Sequence, residues 1–293
     1  MMSLYTSMQG DFHGRRTVRR IVPHRLALVA ATRKKSAVFC PHDCPLVYVG
    51  GWVCDRRNLP RLLQETPLPS PSQFRRRLKA SETQALLDEL ETQARGLPQA
   101  QMLGCWLLDA KPLVVSPYSK DKSAKWGWAY NGQARGYKVF ALSDLQGRLV
   151  ACQTHPMNAA EPQVARTLLQ QTDRPGYVLG DSIYDSGPLY ELTAARDLQL
   201  IAPRKEPGGN IAKRARQPTR WHAIAMLETF ANTFGPALYA CRTSIERVFS
   251  RLASSRIGLD HLPPFVRTPE RVRLWVQGKI ILYSILYKKE LQP

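Results

Sequence analysis

Two short apolar runs, each followed directly by an aspartate, constrain the fold more than any other feature of the sequence. Residues 102–108 precede Asp109, and residues 177–180 precede Asp181. Apolar runs of this length predict buried β-strands. The segment 160–171 has helical spacing and leads into the second run, and this crossover predicts parallel pairing. If the two strands are neighbours, their carboxylates emerge at the same edge of the sheet.

The remaining segments after residue 98 predict an α/β fold with the element order β-β-β-α-β-α-β-α-α. A turn at residues 143–147 predicts a hairpin between the second and third strands. The other predicted elements are strands at 136–142, 148–154 and 198–202, and helices at 188–196, 221–234, 239–252 and 272–287. With 44% hydrophobic and 22% charged residues, the chain has enough apolar material for a core, and a disordered or collagen-like protein is excluded.

A third acid, Glu246, lies on a helix with a buried stripe formed by Ile245, Val248, Phe249 and Leu252. Offsets of seven and four residues place Tyr239 and Arg242 on the same helix face as Glu246. Three carboxylates from two strands and a helix can hold two Mg²⁺ or Mn²⁺ ions for phosphodiester chemistry. Taken singly, each residue has an ordinary alternative: an aspartate after a strand forms turns or caps helices, and Arg242 with Glu246 is a common helical ion pair.

The charge balance predicts a polyanionic partner. Lys and Arg number 42 against 23 Asp and Glu, which gives a net charge of +19. Nucleic acid is the first candidate for such a chain. Six cysteines in 293 residues exclude a disulfide scaffold and favour a reducing compartment. With neither an export signal nor a membrane-spanning run, we expect a soluble, cytoplasmic protein.

The first hundred residues divide into two parts. Residues 1–45 are basic and fit no element, while residues 46–98 read as helical, with helices beginning at Ser70 and Ser81. The basic helix after Ser70 predicts either a helix-turn-helix that binds DNA phosphates or a solvated face. Its predicted DNA-binding residues are Arg75, Arg76 and Lys79. The cysteines and histidine of a Cys40-x-His42-x-Cys44 cluster lack a clear fourth zinc ligand, so their role stays open.

Two further segments have a composition suited to nucleic acid. Between residues 120 and 130, three lysines stand close to Trp126, Trp128 and Tyr130. This mixture suits phosphates with base or sugar stacking, or alternatively aromatic anchors that hold a loop on the core. The basic stretch 204–220 precedes the helices that carry Glu246 and is either a DNA contact or a solvated loop.

Four motifs together resemble the DDE transposases of bacterial insertion sequences over residues 100–290. They are Leu107-Leu108-Asp109, Gly136-Tyr137-Lys138, Leu179-Gly180-Asp181-Ser182-Ile183-Tyr184-Asp185, and the segment from Tyr239 through Arg242 to Glu246. The family pattern on the last helix is Tyr, two residues, Arg, three residues, Glu, six residues, Lys. Ala253 stands where the Lys is expected, and Arg256, nearly one turn later, is a candidate for its phosphate contact.

The resemblance implies a ribonuclease H-like mixed sheet flanked by helices over residues 99–293, preceded by a small helical DNA-binding region. It implies that Asp109, Asp181 and Glu246 hold two Mg²⁺ or Mn²⁺ ions and catalyse DNA cleavage and strand transfer. Tyr239, Arg242 and Arg256 would contact DNA, and the partners would be element terminal repeats, target DNA and further copies of the chain, near the bacterial nucleoid. Two alternatives remain: an inactive or domesticated DNA-binding protein, and a ribonuclease H-like nuclease without strand transfer.

Overall fold

The structure is a computed structural model that describes residues 76, 79–95, 104–130, 132–172, 174–205, 217–229, 233–264 and 266–287. The predictions for residues 1–45, including Cys40, His42 and Cys44, and for the helix around Arg75 lie outside the described residues. The chain divides into two compact units, Met1–Arg76 and Arg77–Pro293. Apart from Arg76, every described residue belongs to the second unit.

A mixed six-stranded sheet forms the centre of the second unit. Its strands are β1 (Gly104–Val114), β2 (Lys125–Ala129), β3 (Gly132–Asp144), β4 (Leu149–Pro156), β5 (Gly176–Leu179) and β6 (Leu198–Ile201). The main order is β2-β3-β1-β5-β6, and β4 also pairs with β3. β1 is antiparallel to β3 and parallel to β5, and β6 is parallel to β5. The predicted parallel neighbours and the predicted hairpin are therefore confirmed.

Seven helices occur among the described residues. They are α1 (Ser81–Arg95), α2 (Glu161–Leu169), α3 (Gly187–Ala194), α4 (Pro218–Glu228), α5 (Phe234–Ala240), α6 (Thr243–Ala253) and α7 (Pro269–Tyr287). α2 packs against β3 and β4, α6 against β1, and α7 against β4, so helices flank the sheet as expected for a mixed α/β fold. No described helix is long and apolar enough to cross a membrane.

α1 packs against α7, although the sequence places it in a region that ends at residue 98. The amide of Gln277 donates to Asp88 at 2.7 Å and to Glu91 at 2.9 Å, and Arg273 donates to Gln84. The compact units divide between Arg76 and Arg77, so α1 belongs with the sheet. It begins at Ser81, where the sequence predicts a helix start.

β1 is longer than predicted, and the expectation that Asp109 stands after its strand was wrong. The strand runs on to Val114 because residues 110–114 continue to pair with β3, and Leu113 in this extension is fully buried. β5 does end before Asp181, after Leu179. Asp109 therefore lies within β1, at a level where the pairing with β5 has stopped.

β2 was not predicted as a strand. It pairs with residues 132–136 of β3 and carries Trp126 and Trp128 into solvent, at 58% and 69% exposure. The alternative in which these aromatics anchor a loop on the core was therefore wrong. Gly127 between them lies against the backbone of Met157, where a Cβ would come within 2.6 Å of the carbonyl oxygen. This close approach presses one side of β2 onto the protein and leaves the tryptophans on the other side.

Candidate active site

The register between β1 and β5 places Asp109 and Asp181 next to each other. Leu107 pairs with Leu179 in the parallel ladder, and two residues further along each chain are the two aspartates. A two-residue step returns each side chain to the same face as its leucine, so both carboxylates lie on one face. A glycine contact at the start of the ladder sets this register. Gly176, at φ 154°, lies so close to Gly104 that a Cβ would come within 1.9 Å of the Gly104 carbonyl oxygen.

Local hydrogen bonds orient each carboxylate. Oδ1 of Asp109 accepts from the Ala110 amide at 2.8 Å. Oδ1 of Asp181 accepts from the Ile183 amide at 2.9 Å and so caps the 3-10 turn Ser182–Tyr184. The cap directs the chain away from β5 immediately after the aspartate. This is the capping role that the sequence offers as the alternative for an aspartate after a strand. The structure therefore confirms the capping role of Asp181, and its functional role stays a prediction.

Arg242 connects Glu246 to Asp109. One guanidinium nitrogen lies 3.6 Å from Oδ2 of Asp109, and another lies 3.4 Å from Oε1 of Glu246. The predicted helical ion pair is thus present, and the same arginine also reaches the neighbouring strand. The Glu246 side chain is 59% exposed, whereas that of Asp109 is 20% exposed. Ile245, Val248, Phe249 and Leu252 form the buried stripe of α6, as predicted.

The helix that carries Tyr239, Arg242 and Glu246 is not continuous, which corrects the predicted helix 239–252. α5 ends at Ala240 and α6 begins at Thr243, and the amides of Cys241, Arg242, Ser244 and Ile245 each bond three residues back. This tighter winding still keeps Arg242 close enough to Tyr239 to affect its ionisation. Burial raises the pKa of Tyr239; Arg242 opposes that rise, while Asp181 and Asp109 are near enough to add to it.

Negative charge is concentrated around Asp109. Burial raises the pKa of Asp109 to about 6, and the carboxylates of Asp181 and Glu161 add to the rise, against the Ala110 amide and Arg242. Such crowding favours a cation, and carboxylate oxygens are the donors that Mg²⁺ and Mn²⁺ prefer. Within the described ranges, no three His, Cys, Asp or Glu side chains stand together closely enough to hold a metal ion. The assignment of Asp109, Asp181 and Glu246 as metal ligands stays a prediction.

Comparison with known protein families identifies the family of this chain. The model of a transposase DDE domain matches residues 103–285, more than half of the chain. The chain belongs to this family. No curated protein matches the sequence. The fold is similar to that of piggyBac transposase in a cryo-EM structure of a synaptic complex with hairpin DNA, with a TM-score of 0.52 and 11% identity over 93% of this chain and 72% of that one.

The transposase domain contains a buried ion pair that the sequence did not reveal. Lys138 of β3 lies 2.6 Å from Glu161 at the start of α2, and both side chains are about nine-tenths buried. Tyr184 donates to the other oxygen of Glu161 at 3.2 Å, and burial raises the pKa of Tyr184 well above its usual value. The hydroxyl therefore keeps its proton and holds Glu161 beside the aspartates. The sequence does contain one sign of this pair: Lys138 is a charged residue within an apolar strand, and such a residue needs a buried partner.

Asp185 attaches both described ends of the basic stretch to the same domain. Oδ2 of Asp185 accepts from Arg220 at 2.7 Å and from the Lys205 amide at 3.2 Å. The Asp185 side chain is buried and lies four residues after Asp181. The residues between 205 and 217 are outside the described part of the chain, so the predicted DNA contact of this stretch stays a prediction.

The other predicted DNA-binding residues lie on the surface. Arg76 and Arg256 are exposed, and Arg256 is in the turn that follows α6. Lys79 forms an ion pair of 2.8 Å with Glu270 at the start of α7, with both side chains about half exposed. An exposed pair of this kind contributes about 0 to 1 kcal/mol, so a phosphate can replace Glu270 at low cost. DNA contacts by these residues remain predictions.

Proposed function

We propose that this chain is a transposase that cuts DNA at the ends of an insertion sequence and joins the freed 3′ end to target DNA. The observation that carries the proposal is the placement of Asp109 beside Asp181, with Glu246 linked to Asp109 through Arg242, inside a transposase domain. The strand order and flanking helices fit the ribonuclease H-like architecture that the resemblance implies. Asp109, Asp181 and Glu246 would hold two Mg²⁺ or Mn²⁺ ions, which when bound activate the attacking oxygen and stabilise the leaving oxygen.

The protein's own groups prepare this site in three ways. The Ala110 and Ile183 amides keep one oxygen of each aspartate fixed, so the carboxylates hold their orientation without substrate. Arg242 and Tyr239 lie against the acids and offer donors to a DNA phosphate, which the acids alone would repel. Arg75, Arg76, Lys79 and Arg256 would bind phosphates elsewhere along the DNA and contribute affinity without sequence selection.

The same proposal covers assembly and place of action. The similar piggyBac transposase was solved in a synaptic complex with DNA, which supports homo-oligomer formation on paired element ends here. Action on bacterial DNA at the nucleoid fits a net charge of +19.

Asp181→Asn tests the proposed catalysis. The change is nearly isosteric and removes one negative charge from the site, so strand cleavage and strand transfer should fall to background. DNA affinity should stay the same or rise slightly, because repulsion of the phosphates is reduced. The assay uses DNA from both flanks of the gene with Mg²⁺ or Mn²⁺, and Asp197→Asn serves as the matched control because Asp197 is exposed.

A second function is favoured by one residue. Ala253 stands at the end of α6 where the family pattern has Lys, so a phosphate contact of an active enzyme is missing unless Arg256 supplies it. If the native chain binds the flanking DNA and never cuts it, a regulatory or inactive DNA-binding protein is the better description. Cleavage without joining would favour a nuclease, and cleavage by Asp181→Asn at the native rate would refute the site.

A further inference from the structure

The hairpin of β2 and the start of β3 exposes an aromatic surface that the proposed catalysis does not use. Trp126, Trp128 and Tyr130 are 58%, 69% and 63% exposed, and we call these three residues the aromatic hairpin. Tyr118 in the preceding loop is 93% exposed. Large aromatic side chains exposed together on a folded domain mark a binding surface more often than single exposed residues do.

The aromatic hairpin is held rigidly. The guanidinium of Arg135, opposite Trp126 in the ladder, donates to the carbonyl oxygens of Ser119 at 2.8 Å and Ala124 at 3.0 Å, and also to that of Asp121. The Asp121 carboxylate accepts from the Tyr137 hydroxyl at 2.7 Å and from the Thr268 amide at 2.9 Å. Since these bonds tie the loop to β3 and to the segment before α7, the aromatic rings project from a fixed base. A surface prepared in this way loses little entropy on binding.

The surface charge around the aromatic hairpin selects a polyanion. Lys120, Lys122 and Lys125 are exposed, whereas Asp121, the one acid between residues 115 and 130, is buried in the hydrogen bonds just described. Cations next to exposed aromatic rings are the combination with which proteins bind single-stranded nucleic acid. A hydrophobic protein partner would not require the three lysines.

A buried lysine places the aromatic hairpin beside the acids. Lys111 lies two residues after Asp109 on β1, so both side chains are on the same face, about 7 Å apart along the strand. Its ammonium donates to the Tyr130 hydroxyl at 2.7 Å and pairs with Asp260 at 3.3 Å. Nucleotides next to a phosphate at the acids would therefore reach the rings.

We propose that the aromatic hairpin stacks on unpaired DNA bases adjacent to the acidic site. The inference rests on the proposed function for its DNA substrate, and it adds the structural state of that substrate. Paired bases offer only their edges to a side chain, whereas an unpaired base offers its face. Trp126 and Trp128 are two residues apart, about 7 Å along the strand, which is twice the rise of about 3.4 Å between stacked bases. One base ring can lie between them.

The test measures DNA binding by the full chain in EDTA, so that it does not depend on cleavage. The probes are a fluorescent single strand of about 20 nucleotides, longer than typical single-strand sites, and the duplex of the same sequence, at one salt concentration. Replacing both Trp126 and Trp128 by Ala should weaken single-strand binding at least about fivefold, since a stacked base contributes about 1 to 3 kcal/mol. Duplex binding should change less than about threefold, because the lysine contacts with phosphates remain.

Two matched variants keep the result interpretable. The double variant Trp126→Phe and Trp128→Phe retains aromatic faces and should keep most of the single-strand affinity that the double Ala variant loses. Trp221→Ala removes a half-exposed tryptophan from α4 and should leave both affinities unchanged. Quenching of tryptophan fluorescence by the single strand, lost in the double Ala variant, provides an independent readout.

Other results overturn the inference. Equal losses on single strand and duplex would mean that the hairpin contacts phosphates or is needed for folding. Unchanged binding with an altered sedimentation coefficient would mean that the surface joins two copies of the chain. If the native chain binds both probes and the double variant behaves like it, only this inference fails; if the native chain binds neither, the proposed function fails with it.

Discussion

Asp109→Asn should stabilise the metal-free protein at neutral and alkaline pH, although it removes a proposed catalytic group. Burial and neighbouring carboxylates raise the pKa of Asp109 from 3.8 to about 6 in the folded chain. The folded state therefore binds this proton more tightly than the unfolded state, and the free energy of unfolding falls as the pH rises from about 4 to about 6. Two pKa units correspond to about 3 kcal/mol, which the ionised carboxylate costs at pH 8 and which asparagine avoids.

Urea unfolding in EDTA at pH 4 and pH 8 measures the effect. The variant should exceed the native chain by up to about 3 kcal/mol at pH 8 and by little at pH 4. Asp197→Asn is the control, because Asp197 is exposed and its φ of 55° suits asparagine equally well. Adding Mg²⁺ should then stabilise the native chain and not Asp109→Asn, because only the native site offers the carboxylate. A gain of the same size at both pH values, or equal stabilisation of both proteins by Mg²⁺, would refute the reasoning.

Three further predictions concern the frame of the site and its DNA contacts. Gly176→Ala should lower the unfolding free energy by at least about 2 kcal/mol, because its Cβ would meet the Gly104 backbone. Gly187→Ala should change it by less than about 1 kcal/mol, because its Cβ would meet only the Gln217 side chain, at 3.8 Å. Urea titration distinguishes the two variants. Lys138→Met leaves Glu161 buried without its cation and should lower the free energy of unfolding by about 3 kcal/mol. Adding Glu161→Gln should restore most of this loss. No recovery in the double variant would contradict the pairing. Arg256→Ala should reduce the slope of log affinity against log salt by up to about 0.9, and an unchanged slope would remove Arg256 from the DNA interface.

The sequence predicts those strands and helices whose hydrophobic pattern can be recognised within one short segment. The strands before Asp109 and Asp181 can be predicted because each is a continuous apolar run of strand length, and α6 because its buried residues repeat at the helical period. The extension of β1 is not, because Lys111 interrupts the apolar run and finds its partner Asp260 149 residues later. β2 escapes notice because its aromatic residues face solvent and alternate with small ones.

In the candidate site too, residues with a local pattern could be predicted and contacts between distant segments could not. Its three acids could be proposed because each lies in a recognisable element or directly after one, and the pairing of β1 with β5 explains why two of them meet. The Lys138–Glu161 pair could not be proposed, since it joins two elements 23 residues apart and neither residue has a local partner. The tight winding between α5 and α6 was also hidden, because its residues fit a continuous helical pattern equally well.

The two hydrogen bonds to Asp185 have a consequence for the sequence changes that the segment between Lys205 and Arg220 can tolerate. Because the Lys205 amide and the Arg220 guanidinium bond to the same carboxylate oxygen, both described ends of this stretch are held at one point of the domain. The entropy cost of closing a loop grows slowly with its length, by about 0.6 kcal/mol for each doubling. Insertions, deletions or new charges between these two residues therefore leave the geometry of the acids intact. Replacing residues 206–216 by a segment of another length should therefore change the proposed DNA contacts of this stretch without disturbing the sheet that carries the acids.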